Sequence, residues 1–87
     1  MSNKQLEKML IDIAKQFPDV QAISLGRDPE ERFPVYYFLT NKYNPDLTTR
    51  LFEFESDIYD EGFSVSARQF RYTIQEPFLG ERIWKRS

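Results

Sequence analysis

The chain contains no cysteine and no histidine. The first absence excludes a disulfide framework and thiolate chemistry. The second removes the commonest general base and the commonest metal ligand, so a zinc site would need carboxylates alone. Glycine is scarce too. Gly26, Gly62 and Gly80 lie too far apart to form a phosphate-cradling loop. No apolar run approaches the ~20 residues of a membrane span. Met1 to Gln5 lead straight into an amphipathic pattern rather than a signal-peptide block. Together these absences predict a soluble cytoplasmic protein that is not an enzyme and binds no metal or cofactor.

Aromatic residues, in contrast, are plentiful. Eight Phe, five Tyr and one Trp stand among 87 residues. A chain of this length forms one small domain, residues 1–87, that buries about two-thirds of its unfolded surface. So thin a core cannot absorb every ring, which leaves some for solvent, a partner or a cleft. The net charge of −2 does not favour nucleic acid or an anionic membrane. Its distribution is uneven, however: residues 1–67 carry a net −5 and residues 68–87 a net +3.

The longest apolar run is Pro34-Val35-Tyr36-Tyr37-Phe38-Leu39-Thr40. A strand apolar on both faces needs neighbours on both sides, so it is read as the middle of a small sheet. Before it, Ser2-x-x-Gln5 has capping-box spacing. Leu6, Met9, Leu10, Ile13, Ala14 and Phe17 then form one helical stripe that Pro18 ends. Val20 to Arg27 reads as a strand with Gln21, Ile23 and Leu25 on one face. The small Ala22 and Ser24, on the other, suggest close approach of a helix.

Asn44, Pro45 and Asp46 open a second helix whose apolar positions are Leu47, Leu51, Phe54 and Ile58, broadened by Phe52 and Tyr59. Gly62 suits the left-handed residue that closes it. Phe63 to Ala67 alternates as a third strand. Phe70, Tyr72 and Ile74 lie on the opposite parity, so a bulge is expected near Arg68-Gln69. Phe78, Leu79, Ile83 and Trp84 are expected in a short C-terminal helix or tail. The predicted fold is α+β with αββαβ order: a mixed three-stranded sheet, its first two strands antiparallel and the next pair parallel. Both helices cover one face.

The chemistry on offer is limited. Glu53 and Asp57 share a helix face, but one helix supplies too few oxygens for a calcium or magnesium cage. Arg68, Arg71, Arg82, Lys85 and Arg86 alternate with Phe70, Tyr72 and Trp84. That mixture can track a single-stranded nucleic acid, or can pair with the acidic second helix of the same or another copy. Pairing, or simple solvation, is favoured over nucleic acid.

The order of elements resembles that of the minimal nucleotidyltransferase-like domains of bacterial toxin–antitoxin modules. Ile23-Ser24-Leu25-Gly26-Arg27 looks like their first strand and turn, and Val35 to Thr40 like the second strand. Pro45 to Gly62 is similar to their helix, Phe63 to Ala67 to the third strand, and Pro77-Phe78-Leu79 with Ile83 to the closing segment. The departures fall on the chemistry. Arg27 stands where the family's serine follows glycine, and Val35-Tyr36-Tyr37 stand where its two metal-binding aspartates lie. The third strand offers Ser64 and Ser66 but no acid. The resemblance therefore implies a member without catalysis, with Gly26 and Arg27 as a vestigial anion contact.

Two functions follow. The leading one is a protein-interaction or regulatory module whose partner is another protein or a second copy in a homodimer. Its anchors are expected among Tyr36, Phe38, Phe70, Tyr72 and Trp84. The alternative is an inactive nucleotidyltransferase-like domain that binds nucleotide or nucleic acid through Arg27, Arg68, Arg71 and the basic tail.

Overall fold

A computed structural model describes residues 2–26, 32–72 and 79–87. It contains two helices and four strands: α1 (Asn3–Gln16), β1 (Val20–Gly26), β2 (Val35–Thr40), α2 (Pro45–Asp60), β3 (Ser66–Arg71) and β4 (Leu79–Lys85). The sheet order is β3-β2-β1-β4. β1 runs antiparallel to both β2 and β4, and β2 runs parallel to β3. The apolar run thus has neighbours on both sides, as its two-faced apolarity requires.

The helix boundaries follow from local chemistry. The Ser2 hydroxyl accepts from the Gln5 N–H at 3.2 Å, and the Ser2 N–H donates to Gln5 Oε1 at 2.8 Å. The Asn44 side chain accepts from the Asp46 and Leu47 N–H groups. At the far end of α2, Gly62 has φ +91°, a conformation that favours glycine.

Leu6, Leu10 and Ile13 of α1 share one core with Leu47, Leu51, Phe54 and Ile58 of α2. The sheet supplies Ile23, Tyr36, Phe38 and Ala67 to that core. Ile23 is opposite Phe38, and Tyr36 is opposite Ala67, so both helices lie on a single face. They pack on the larger β1 residues, not on Ala22 and Ser24. The second face carries Ala22, Ser24 and Leu39, and these are at most 1% exposed. Gly26 also has a packing reason: a Cβ there would stand 2.8 Å from the Tyr37 ring.

Several further expectations are corrected. The sheet has four strands, because the C-terminal segment is β4 and not a helix or tail. Its pairing with β1 shifts register between Trp84 and Arg82 and again between Arg82 and Leu79. The first shift passes over Ile83, so Ile83 and Trp84 both pack against the core. Adjacent inward residues break the period-2 pattern and imitate a helical one.

The third strand begins at Ser66, not Phe63, and pairs with β2 without a shift through Arg71. No bulge occurs at Arg68-Gln69. Phe63 and Val65 approach the helix-side core, as does Ala67, whereas Phe70 packs on the second face against Tyr37 with ring centroids 5.9 Å apart. The apolar parity changes because the strand serves first one face and then the other. Finally, Phe52 and Tyr59 do not broaden the buried stripe of α2; each is 69% exposed.

Candidate functional site

The structure distributes the expected contact residues widely. Tyr36 and Phe38 are 3% and 0% exposed and belong to the core beneath the helices. A partner cannot reach them without opening the fold. Burial pushes the Tyr36 phenol above its ordinary 10.0, with Glu7 and Glu81 adding to the shift. Phe70 and Tyr72 are half-buried at the end of β3. Trp84 is half-buried on β4 and packs against the core. Arg27 lies outside the described residues.

The basic tail is split. Arg68 and Arg71 sit on β3 at one edge of the sheet, and Arg82 and Lys85 on β4 at the other. The Arg68 Nε donates to Ser66 Oγ at 3.1 Å. The Arg82 guanidinium lies 5.9 Å from the Tyr72 ring centroid. Arg86 is structural: its Nε donates to the Val20 carbonyl at 2.8 Å, and Nη2 donates to the Ala14 and Phe17 carbonyls at 3.0 and 3.2 Å. These last two acceptors close α1, where a cation complements the helix dipole. The same guanidinium lies 5.1 Å from the Trp84 ring centroid.

A more coherent surface lies between α2 and the outer edge of β3. The Ser66 N–H donates to Pro34 O at 2.9 Å and the Tyr72 N–H to Thr40 O at 2.7 Å, both towards β2. By alternation, the N–H and C=O groups of Ala67, Gln69 and Arg71 point away from the sheet. The Ala67 N–H donates to the Glu55 carboxylate at 2.6 Å. Glu55 therefore reaches down from α2 to cover the start of an edge strand.

Gln69 anchors the other end. Its Oε1 accepts from the Asn44 N–H at 2.7 Å and from the Thr40 hydroxyl at 3.2 Å. Its Nε2 donates to Asn44 O at 2.8 Å and Thr48 Oγ1 at 2.9 Å. One amide side chain thus ties the β2–α2 turn to β3 with all its donors and acceptors directed at named partners.

Three hollows follow one another along this surface, the middle one between the two ties. The first, about 410 Å³, is lined by Phe33, Tyr59, Asp60 and Glu55. The second, about 400 Å³, is lined by Glu55, Phe52, Tyr43 and Gln69. The third, about 280 Å³, continues past Tyr43 and Gln69 to Lys42, Phe70 and Arg71. Shared lining residues make them one groove, acidic at the Asp60 end and basic at the Arg71 end. Tyr43 is 64% exposed, which with Phe52 and Tyr59 gives an aromatic rim. An apolar rim with an acidic and a basic end can seat an extended segment.

Of the expected site residues among the described ones, Arg68, Phe70 and Arg71 line this groove. Tyr43, Phe52, Glu55 and Tyr59 were absent from the expected set. Thr48, Phe52, Glu55 and Tyr59 recur at i, i+4, i+7 and i+11, a second stripe beside the buried one. That spacing was the available signal. Among the described residues no group of three metal-ligating side chains comes together, and no helix is long and apolar enough to cross a membrane. No family model, no curated protein and no solved structure matches this chain.

Proposed function

We propose that this chain is a non-enzymatic protein-interaction module that seats its partner in the α2–β3 groove. One observation carries the reading: Phe52, 69% exposed, shares a hollow with Ala67 and Gln69, whose main-chain groups point out from the strand edge. Exposed rings beside an open edge supply the two components of strand-addition recognition, apolar contact and directional hydrogen bonds. Aromatic anchors of this kind carry much of the energy of protein interfaces.

The alternative is a catalytically inactive nucleotidyltransferase-like domain that binds nucleotide or nucleic acid. Less supports it. The basic residues lie on opposite edges of the sheet, and Arg86 is engaged with α1. The centre of the second face is closed to solvent at Ala22, Ser24 and Leu39. A rise in melting temperature with Mg²⁺–nucleotide or short RNA would favour this alternative.

Photo-crosslinking amino acids placed at Phe52, at Tyr59 and, as a control, at Lys8 on the exposed side of α1 test the interaction reading. The expected result is one discrete product from positions 52 and 59, competed away by excess unmodified chain, and none from position 8. Equal yields from all three positions, or no product from the groove, would refute it.

A further inference from the structure

We propose that the groove's occupant is a second copy of this chain, paired antiparallel along β3 about a two-fold axis at Gln69. This deepens the interaction reading and rests on it. The first argument is charge. The groove runs from Glu55 and Asp60 at one end to Lys42 and Arg71 at the other. An antiparallel copy sets the acidic end of each against the basic end of its mate, so the surface is complementary to itself, as an isologous contact requires.

The second argument is register. With Gln69 opposite Gln69, Ala67 faces Arg71 of the second copy. The outward groups of Gln69 and Arg71, with the Ala67 carbonyl, can then exchange about four main-chain hydrogen bonds, while the Ala67 N–H stays with Glu55. Glu55, already at Ala67, becomes the neighbour of the incoming Arg71. On the other face Arg68 stands opposite Phe70 of the second copy. Centring the axis on Arg68 instead would set like charges directly opposite. Centring it on Phe70 would carry Arg71 away from Glu55 and pair fewer outward groups.

The third argument is the contrast between the two sheet edges. β4 pairs irregularly with β1 and carries exposed Glu81, Arg82 and Lys85. Irregular pairing and charge are devices that discourage edge-to-edge association. β3 pairs without a shift over all six residues, and its exposed charges, Arg68 and Arg71, stand opposite Phe70 and Ala67 of the second copy rather than like charge. Because Gln69 bonds Thr48 and shares a hollow with Phe52, the axis passes beside this part of α2. The exposed Phe52 rings of the two copies then approach each other and leave solvent.

Charge reversal across the pair tests this. Sedimentation equilibrium of the intact chain should give a mass that rises with concentration to twice 10.5 kDa. Arg71→Glu and Glu55→Arg should each raise the dissociation constant about tenfold or more. An equimolar mixture of the two variants should restore dimers, since both cross-axis contacts are then opposite in charge. Fold damage cannot produce that rescue.

Cysteine trapping supplies an independent check, because the chain has no cysteine of its own. Arg68→Cys mixed with Phe70→Cys should form a mixed disulfide faster than either variant alone forms its own. Directly opposed residues of a non-hydrogen-bonded pair stand about 4.5 Å apart at Cα, within disulfide reach. A dimer indifferent to charge reversal and to this trapping would overturn the β3 pairing. A strict monomer whose positions 52 and 59 still crosslink to another protein would overturn the second copy but leave the interaction module standing. A strict monomer with no groove crosslink would overturn both.

Discussion

Arg86 shows how one side chain can be assigned to the fold instead of to a ligand. Its guanidinium meets three carbonyls, from α1, from the residue that caps it and from β1, while the Arg86 main-chain N–H donates to Gln21 O at 2.8 Å. A planar fork satisfies this arrangement and an ammonium does not. Arg86→Ala should cost about 2 kcal/mol in urea denaturation, in the range for hydrogen bonds to a charged group. Arg86→Lys should recover less than half of that. Equal stability of all three proteins would contradict the role.

Tyr36 makes the opposite point, since its ring is core and its hydroxyl titrates. Burial, Glu7 and Glu81 all favour the neutral phenol in the folded state. The unfolded chain therefore loses this proton at a lower pH than the folded one. Stability from this group is complete below the ordinary 10.0 and declines as pH rises above it. Tyr36→Phe should abolish that part of the alkaline loss, as read from urea midpoints between neutral pH and about pH 11. An unchanged alkaline slope in the variant would refute the assignment.

At the level of elements, β3 is tied to α2 by side-chain hydrogen bonds. Gln69 joins it to the α2 N-terminus and Glu55 covers its first outward N–H. Gln69→Ala leaves the Asn44 N–H and the Thr40 hydroxyl without this partner and should cost about 1–3 kcal/mol. The loss should persist in dilute solution, where association plays no part. A change below about 0.5 kcal/mol, the usual surface value, would show the tie to be incidental.

Legibility also divides by element. Both helices are readable because their caps and apolar spacings agree: Ser2 with Gln5, and Asn44 with Pro45 and Leu47 to Ile58. β2 is readable from its two-faced apolarity. β4 is not, because the register shift at Ile83 turns two neighbours inward and erases alternation. The groove stayed hidden because Phe52 and Tyr59 flank the buried stripe closely enough to look like part of it. Their exposure is decided by where β3 ends the sheet, a fact of topology that their spacing alone does not reveal.

For the whole molecule, the decisive asymmetry is between two edges. One is irregular, and the other is regular and flanked by the exposed Phe52 ring. The helices close one face of the sheet, and the second face is buried at its centre, so β3 is where a regular partner strand can add. Sequence length matters here too. A core this small leaves aromatic rings over, and association along β3 would bury them at Phe52 and, towards the acidic end, near Tyr59.

The most direct measurement is amide hydrogen exchange of β3 across a concentration series. Gln69 and Arg71 should exchange quickly in dilute solution and slowly in concentrated solution, because their outward N–H groups become bonded on association. Tyr72, whose N–H already donates to Thr40 O at 2.7 Å, should remain protected throughout. If Gln69 and Arg71 exchange rapidly at every concentration while Tyr72 stays protected, β3 is not the edge through which the copies meet.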